Sequence, residues 1–231
     1  MRIQRVQTAF VLAAASLAPS LPHPSFAQTS VSASLYGAFN GTTNGNGTEQ
    51  SPANQAGGLL EIRHISNPIL GFEATYSFNR ADQTYNTTIY PPVSNSCPSP
   101  CGPYLESLRV PANAHEVTAD YVPSVHIANF RPFGVLGVGL LFNVPSGNQT
   151  LTQTNGAGVQ ISSSPSTGAS TATKPVYVYG AGLDWGILPH IGLRFQYRGN
   201  LFQAPNLTKT YSSTNAFTHT AEPMIGVYFH F

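Results

Sequence analysis

The chain has 231 residues, of which only 8% are charged, and its formal net charge at pH 7 is +1. Soluble domains carry roughly 25% charged residues, so this composition is unusual for a protein that folds in water. A nearly neutral chain offers no basic surface, which excludes nucleic acid as a partner. The mean hydropathy of −0.07 also excludes a chain built from long apolar blocks. The low fraction of charged residues must therefore reflect a pattern on a shorter scale along the chain.

The N-terminal residues have the layout of an export signal. Arg2 and Arg5 form a positive segment, and residues 9–18 form an apolar one that is too short to cross a bilayer. Ser25-Phe26-Ala27 then fits a cleavage site flanked by small residues. A transmembrane anchor is the alternative, but the length and the prolines that follow argue against it. We expect residues 1–27 to be a signal peptide that is removed on export.

Eight later segments alternate apolar and polar side chains with the period of two that indicates a β-strand. The third segment is the clearest, because Phe72, Ala74 and Tyr76 are interleaved with polar residues. The second has the weakest alternation, and the fifth is apolar throughout, which leaves the facing of its side chains undecided. The segments span residues 31–40, 59–64, 72–79, 116–121, 133–142, 177–185, 191–198 and 222–231.

The connections between these segments alternate between short and long. The long ones are rich in Gly, Ser, Thr, Asn and Pro, so we expect irregular loops that do not pack. Residues 28–231 are therefore predicted to form one all-β domain, an eight-stranded antiparallel up-and-down transmembrane β-barrel. It would have short periplasmic turns and four long extracellular loops. A soluble β-sandwich is the alternative. Short connections lie at 66–69, 123–131 and 187–190, and long ones at 41–56, 80–113, 143–174 and 199–219.

Aromatic residues fall toward the ends of the predicted strands. Rings with an apolar body and a polar tip gather at membrane–water interfaces. We therefore expect them to form belts around the barrel. The residues concerned are Tyr36, Tyr76, Tyr121, Trp185, Tyr197 and Phe231.

Charged residues recur on the predicted inward faces of the strands. An eight-stranded barrel is only wide enough for side chains to fill, and buried charges must be paired or hydrogen-bonded. We expect a salt-bridged, closed lumen in which three arginines are shared among six carboxylates. A gated path for protons or ions along these groups is the alternative. The predicted network comprises Glu61, Arg63, Glu73, Glu116, Asp120, Asp184, Arg194, Arg198 and Glu222.

Cys97 and Cys101 are the only cysteines and lie in the second long loop. In an exported chain they most simply form a local disulfide. A metal site would need further ligands nearby. A redox pair of the Cys-x-x-Cys type has two intervening residues, whereas this pair has three.

The segment His64-Ile65-Ser66-Asn67 looks like the His-x-Ser-Asn segment of lipid A deacylases. A hydrolase would also need a carboxylate to orient the histidine, and Glu61 or Glu73 is the candidate. The segment falls at a predicted periplasmic turn, however, whereas the active site of that family faces the outer leaflet. The remaining histidines show no ligand spacing, and no nucleotide fingerprint occurs. We therefore assign no catalytic, cofactor-binding or metal-binding residue.

Three stretches carry a resemblance to a known class: residues 132–139, residues 179–184 and the C-terminal Gly-x-x-Phe-x-Phe. The chain resembles small outer-membrane barrels of Gram-negative bacteria, such as the transmembrane domain of outer membrane protein A. Gly226, Phe229 and Phe231 match the C-terminal signal by which such barrels are recognised for assembly. The resemblance implies a location in the outer membrane, with lipid, lipopolysaccharide and the barrel-assembly machinery as partners. A monomer is expected.

The function expected from this resemblance is non-enzymatic, either structural or a surface interaction made through the extracellular loops. A small channel or transporter for ions or small solutes is the first alternative. An enzyme that modifies lipid A is the second.

Overall fold

The computed structural model describes residues 27–90, 102–166 and 168–231. Fourteen strands lie in these ranges and form two sheets. No helix of the described ranges is both long and apolar enough to span a bilayer. The barrel strands are β1 Gln28–Asn40, β4 Gln55–Ile65, β5 Gly71–Arg80, β8 Ala112–Tyr121, β9 Phe130–Pro145, β12 Ala172–Gly186, β13 Ile191–Gln203 and β14 Phe217–His230. The others are β2 Thr43–Gly45, β3 Thr48–Pro52, β6 Gln83–Ile89, β7 Tyr104–Val110, β10 Gln149–Asn155 and β11 Gln160–Ser166.

The eight barrel strands close on themselves in the order β1-β14-β13-β12-β9-β8-β5-β4, and every neighbouring pair is antiparallel. The first and last strands seal the cylinder, with Leu35 opposite Ile225. Closure leaves no strand edge whose N–H and C=O groups lipid would have to satisfy. The predicted eight-stranded antiparallel barrel is confirmed. We call its end with the short turns the turn end and the opposite end the loop end.

Side chains alternate between the two sides of the barrel wall. On β1, Leu35 is 72% exposed on the outside, whereas Ser32 and Ser34 are buried inside. The same alternation continues on β14, where Ile225, Val227 and Phe229 face outward. The barrel is therefore apolar outside and polar inside, the arrangement that a hydrocarbon solvent requires.

The facing of β9, which the sequence left undecided, follows from its pairing with β8 and β12. Leu136 and Val138 face outward, and Val135 faces the lumen. Gly137 also faces the lumen, where a side chain would collide with the carboxylate of Asp120. The glycine therefore leaves room for a charged residue of the neighbouring strand.

Three of the four long loops contain regular strands, so the prediction of irregular, unpacked loops is wrong. Six strands form a second sheet at the loop end, in the order β11-β10-β7-β6-β3-β2, which we call the loop sheet. Each of its hairpins prolongs a pair of barrel strands after a short break, such as Pro111 between β7 and β8. Their many threonines suit strands, and Gly, Ser and Asn, which favour turns, did not prevent pairing.

The fourth long loop, residues 204–216, packs across the loop sheet, and we call it the cap loop. Leu207 is fully buried against Tyr85, Leu108 and Val110. The Tyr85 hydroxyl donates to the carbonyl of Pro205 at 3.0 Å and accepts from the backbone N–H of Leu207 at 2.9 Å. This loop has a small apolar core of its own and does not stand free.

Aromatic rings lie on the outer wall at both ends of the barrel. At the turn end, Trp185 stacks with Phe130 at 6.1 Å between ring centroids. Toward the loop end, Tyr76 shares a hydrogen bond of 2.9 Å with His115, and Tyr179 shares one of the same length with His219.

Tyr36 does not join these belts. It is only 4% exposed and lies inside the barrel, because it occupies the same face of β1 as Ser32 and Ser34.

Candidate functional site

The nine charged residues predicted for the lumen lie inside the barrel, and none is more than 4% exposed. Alternation along each strand places them on the inward face. They divide into two groups along the barrel axis. The turn-end cluster comprises Glu61, Arg63, Glu73, Asp184 and Arg194. The loop-end cluster comprises Glu116, Asp120, Arg198 and Glu222.

Arg63 and Arg194 hold the turn-end cluster together. Arg63 lies 2.7 Å from Glu73, 3.2 Å from Glu61 and 3.3 Å from Asp184. Arg194 donates to Asp184 from two nitrogens, at 2.6 and 2.8 Å, and also pairs with Glu61. Such forked pairs are the strongest geometry that a guanidinium offers a carboxylate. Four strands are thereby tied to one another across the lumen.

Phe133 of β9 lies against the same two arginines. Its ring centroid is 4.0 Å from the guanidinium carbon of Arg63 and 5.4 Å from that of Arg194. The ring therefore supplies a cation–π contact to the arginines of the turn-end cluster.

Arg198 is the only cation of the loop-end cluster. Its guanidinium lies 3.2 Å from Glu116 and 3.7 Å from Asp120, and it donates to the Thr75 hydroxyl at 3.2 Å. Glu222 stands opposite Arg198 in the β13–β14 register. Among the residues that the structure describes, however, Glu222 forms no ion pair within 4.0 Å. Five of the six predicted carboxylates thus pair with an arginine.

Two further residues of the lumen, Arg131 and Tyr36, were not predicted from the sequence. Arg131 of β9 shares the inward face with Phe133 and stands opposite Asp184 in the β9–β12 register. It was missed because residues 123–131 were predicted to be a connection, whereas β9 begins at Phe130. Tyr36 was assigned to an aromatic belt, although counting by twos from Ser34 would have placed it inside.

Cavities lie in both halves of the lumen. The cavity within its loop-end half measures about 30 Å³, which is enough for roughly one or two water molecules. A larger cavity of about 360 Å³ lies at the turn end, between the turn residues and Arg131. Charged side chains of the two clusters line both cavities, Glu116 and Glu222 at the first and Asp184 at the second.

His64, Ser66 and the two nearby glutamates do not form a catalytic arrangement. His64 faces outward and shares a hydrogen bond of 2.9 Å with Thr29. Glu61 and Glu73 face inward, where Arg63 engages both. Asn67 instead shapes the turn, because its side-chain oxygen accepts from the backbone N–H groups of Ile69 and Leu70. This segment therefore has a local structural role.

Across the described ranges, no group of three or more His, Cys, Asp or Glu side chains is arranged to hold a metal ion. Cys97 and Cys101 lie outside the described residues, so their disulfide stays a prediction. Residues 1–26 also lie outside them.

Gly226 and Phe229 of the expected assembly signal lie on β14, and Phe231 follows the last residue of that strand. Gly226 is buried against Ser34 of β1. Phe229 and Phe231 are exposed on the outer wall. Their recognition during assembly stays a prediction.

Burial shifts the acidity of groups in the extramembrane parts. It raises the pKa of Tyr85 from 10.0 to about 12, although the backbone hydrogen bond to Leu207 acts in the opposite direction. Burial, and then the hydrogen bond to Glu106, also raises the pKa of Tyr211. At the turn end, burial and then the charge of Arg131 lower the pKa of His126.

Solved structures similar to this chain include Ail of Yersinia pestis in complex with the heparin analogue sucrose octasulfate. It is 15% identical with a TM-score of 0.44, over 89% of this chain and 99% of that one. Neisserial surface protein A is 14% identical with a TM-score of 0.41, over 87% and 96%. OprG of Pseudomonas aeruginosa is 9% identical with a TM-score of 0.42, over 89% and 96%. No curated protein matches the chain.

The family described as outer membrane protein beta-barrel domain matches residues 8–222, which is most of the chain. The closed barrel with an apolar exterior agrees with this match. The chain therefore belongs to the outer membrane protein beta-barrel domain family.

Proposed function

We propose that this protein is a non-enzymatic outer-membrane barrel with a closed lumen that acts at the cell surface through the loop sheet. The observation that carries this proposal is the folded state of the loops. Three loops pair into six strands, and the cap loop packs on them through Leu207 and Tyr85. A gating loop for a channel would not need such a core, whereas a binding surface gains from rigidity.

The outward face of the loop sheet is mainly polar, and its charged residues Glu49 and Arg109 have opposite signs. Neighbouring strands there align polar side chains, with Thr84 beside the guanidinium of Arg109 and the amide of Asn86 beside the hydroxyl of Ser107. Thr152 continues the second row onto β10. This chemistry suits a neutral polar partner, such as an uncharged glycan, better than a charged polymer.

Conductance in planar bilayers tests the closed lumen. The purified, folded protein should show no steady openings above those of a protein-free bilayer, because the two charge clusters fill the lumen. Steady single-channel openings would instead support the channel alternative.

Attachment assays test the surface role. A strain that lacks the protein should gain attachment to surfaces coated with uncharged glycans when it expresses the full chain. It should not gain attachment when residues 149–166, the β10–β11 hairpin, are replaced by a short Gly-Ser turn. Heat-modifiable gel migration should show that both forms fold and reach the outer membrane. Equal attachment by both forms would refute a surface role for this hairpin.

A further inference from the structure

The loop-end half of the lumen contains a small cavity lined by acidic and amide side chains. It measures about 30 Å³ and is bordered by Ser77 of β5, Glu116 of β8, Asn200 of β13 and Glu222 of β14. Apolar residues, including Leu141 and Phe202, border the same cavity. Four barrel strands thus present an oxygen-bearing side chain to one buried space.

The charges of the two clusters are balanced differently. In the turn-end cluster, Arg63 and Arg194 meet three carboxylates, and Arg131 adds a third cation at the mouth. In the loop-end cluster, Glu116, Asp120 and Glu222 share Arg198 alone. When ionised, this group of three carboxylates and one arginine carries a net charge of −2, and Glu222 is its one member without an ion pair to a described residue. Burying a carboxylate without compensation is strongly unfavourable.

Two oxygens at this cavity have no hydrogen-bond partner in the described part of the chain, Oε2 of Glu222 and Oδ1 of Asn200. Glu222 is 4% exposed and Asn200 is 1% exposed. The amide of Asn200 is oriented by its nitrogen, which donates to Glu116 at 3.0 Å. Buried polar atoms are rarely left without a partner, so these oxygens point to a ligand that accepts their lone pairs.

We propose that this cavity binds one calcium ion, with Glu222, Asn200 and Glu116 as its principal ligands and Ser77 as a further oxygen donor. Calcium takes oxygen ligands in flexible geometry, whereas magnesium demands a near-ideal octahedron and keeps several waters. A charge of +2 would offset the net charge of −2 that the three carboxylates and Arg198 carry when ionised. The volume admits an ion with about one water molecule.

Such an ion would join β5, β8, β13 and β14 inside the barrel. The arginines already cross-link the turn-end half, so the ion would supply the corresponding link in the loop-end half. Because a bound ion stabilises only the folded state that forms its site, calcium should raise the stability of the barrel.

The test uses the full-length folded protein in detergent, stripped with a chelator and dialysed. Isothermal titration with calcium chloride should give one site per chain, and the thermal midpoint should rise with calcium concentration. Glu222→Gln keeps the shape of the side chain and removes one charged ligand. It should weaken calcium affinity at least about tenfold, since affinity depends on ligand charge, and it should flatten the dependence of the midpoint on calcium.

Glu49→Gln is the matched control, because Glu49 is an exposed carboxylate of the loop sheet. This variant should bind calcium as the wild type does. Heat-modifiable migration verifies that both variants fold. The proposal is overturned if the wild type binds no calcium, or if Glu222→Gln and the wild type respond equally.

Discussion

The barrel and the loop sheet have opposite polarity, although single hairpins run through both. In β7 of the loop sheet, Leu108 and Val110 face inward and Arg109 faces outward. β8 of the barrel begins directly after Pro111. On this strand Glu116 faces inward and Val117 faces outward. The pattern inverts where the chain passes from one sheet to the other.

The inversion indicates that the two sheets are surrounded by different solvents. In the loop sheet, apolar side chains are buried beneath the cap loop, as expected in water. In the barrel, apolar side chains face lipid, and the charges gather where they can pair. Strand pairing is common to both sheets, so the surroundings and not the backbone decide which face is apolar.

The largest difference between the two regions should appear when one arginine is removed from each. Arg194→Ala leaves Asp184 and Glu61 short of a buried partner and should destabilise the barrel by about 3–5 kcal/mol. Arg109→Ala removes an ion pair of 2.9 Å with Asp82, but the Arg109 side chain is 65% exposed, so the loss should be under about 1 kcal/mol. Urea unfolding followed by the fluorescence of Trp185, the only tryptophan, measures both.

An unchanged midpoint for Arg194→Ala would show that the turn-end cluster contributes nothing to stability. Equal losses for the two variants would show that burial does not distinguish the regions.

A cation placed on the outer face should destabilise the barrel more than it destabilises the loop sheet. Val117→Arg puts a cation on the lipid-facing wall and should cost about 2–4 kcal/mol near the bilayer midplane. Thr152→Arg puts the same group on the outer face of the loop sheet, where the change should stay within about 0.5 kcal/mol. Unfolding from lipid vesicles measures the two losses. Similar losses would contradict the assignment of different solvents.

The smallest effect should come from the ionisation of Tyr85 beneath the cap loop. Its pKa is raised from 10.0 to about 12, so the folded state holds the phenol proton more tightly than the unfolded state. The resulting stability is complete below pH 10 and is lost as the pH rises toward 12. Protease cleavage within residues 204–216 should therefore increase over this range.

Tyr85→Phe is the control, because it removes the titrating hydroxyl together with its bonds to Pro205 and Leu207. The cap loop should then be cleaved more readily at neutral pH, with a smaller further increase above pH 10. An undiminished pH dependence would assign the effect to another group, such as Tyr211.

Local alternation was enough to predict most of the barrel. Phe72 to Phe78 and Ile191 to Arg198 alternate without interruption, and the lumen residues they carry, such as Glu73 and Arg194, lie inside as expected. Alternation did not predict which side chains face inward where the two faces of a strand have similar polarity. From Phe133 to Phe142 both faces of β9 are apolar or glycine, so the facing of the strand could not be predicted, and Arg131 fell in a predicted connection.

The loop sheet was missed for a different reason. Its strands alternate weakly, because Thr, Ser and Asn occupy the outer face and apolar residues such as Leu108 are few. The composition of these loops indicated turns. Their strands pair because each hairpin continues two barrel strands that are already paired. Hairpins held in register by the wall can extend their ladders at little further entropic cost.

By itself, the sequence determined that eight strands would have one apolar and one polar face, because the period of two is a property of each strand alone. Only the tertiary structure decided which carboxylates meet which arginines, why Glu222 is left without one, and that the loops fold. Those outcomes depend on the register between strands and on contacts across the lumen, which join residues far apart in the chain. No local sequence pattern predicts these contacts.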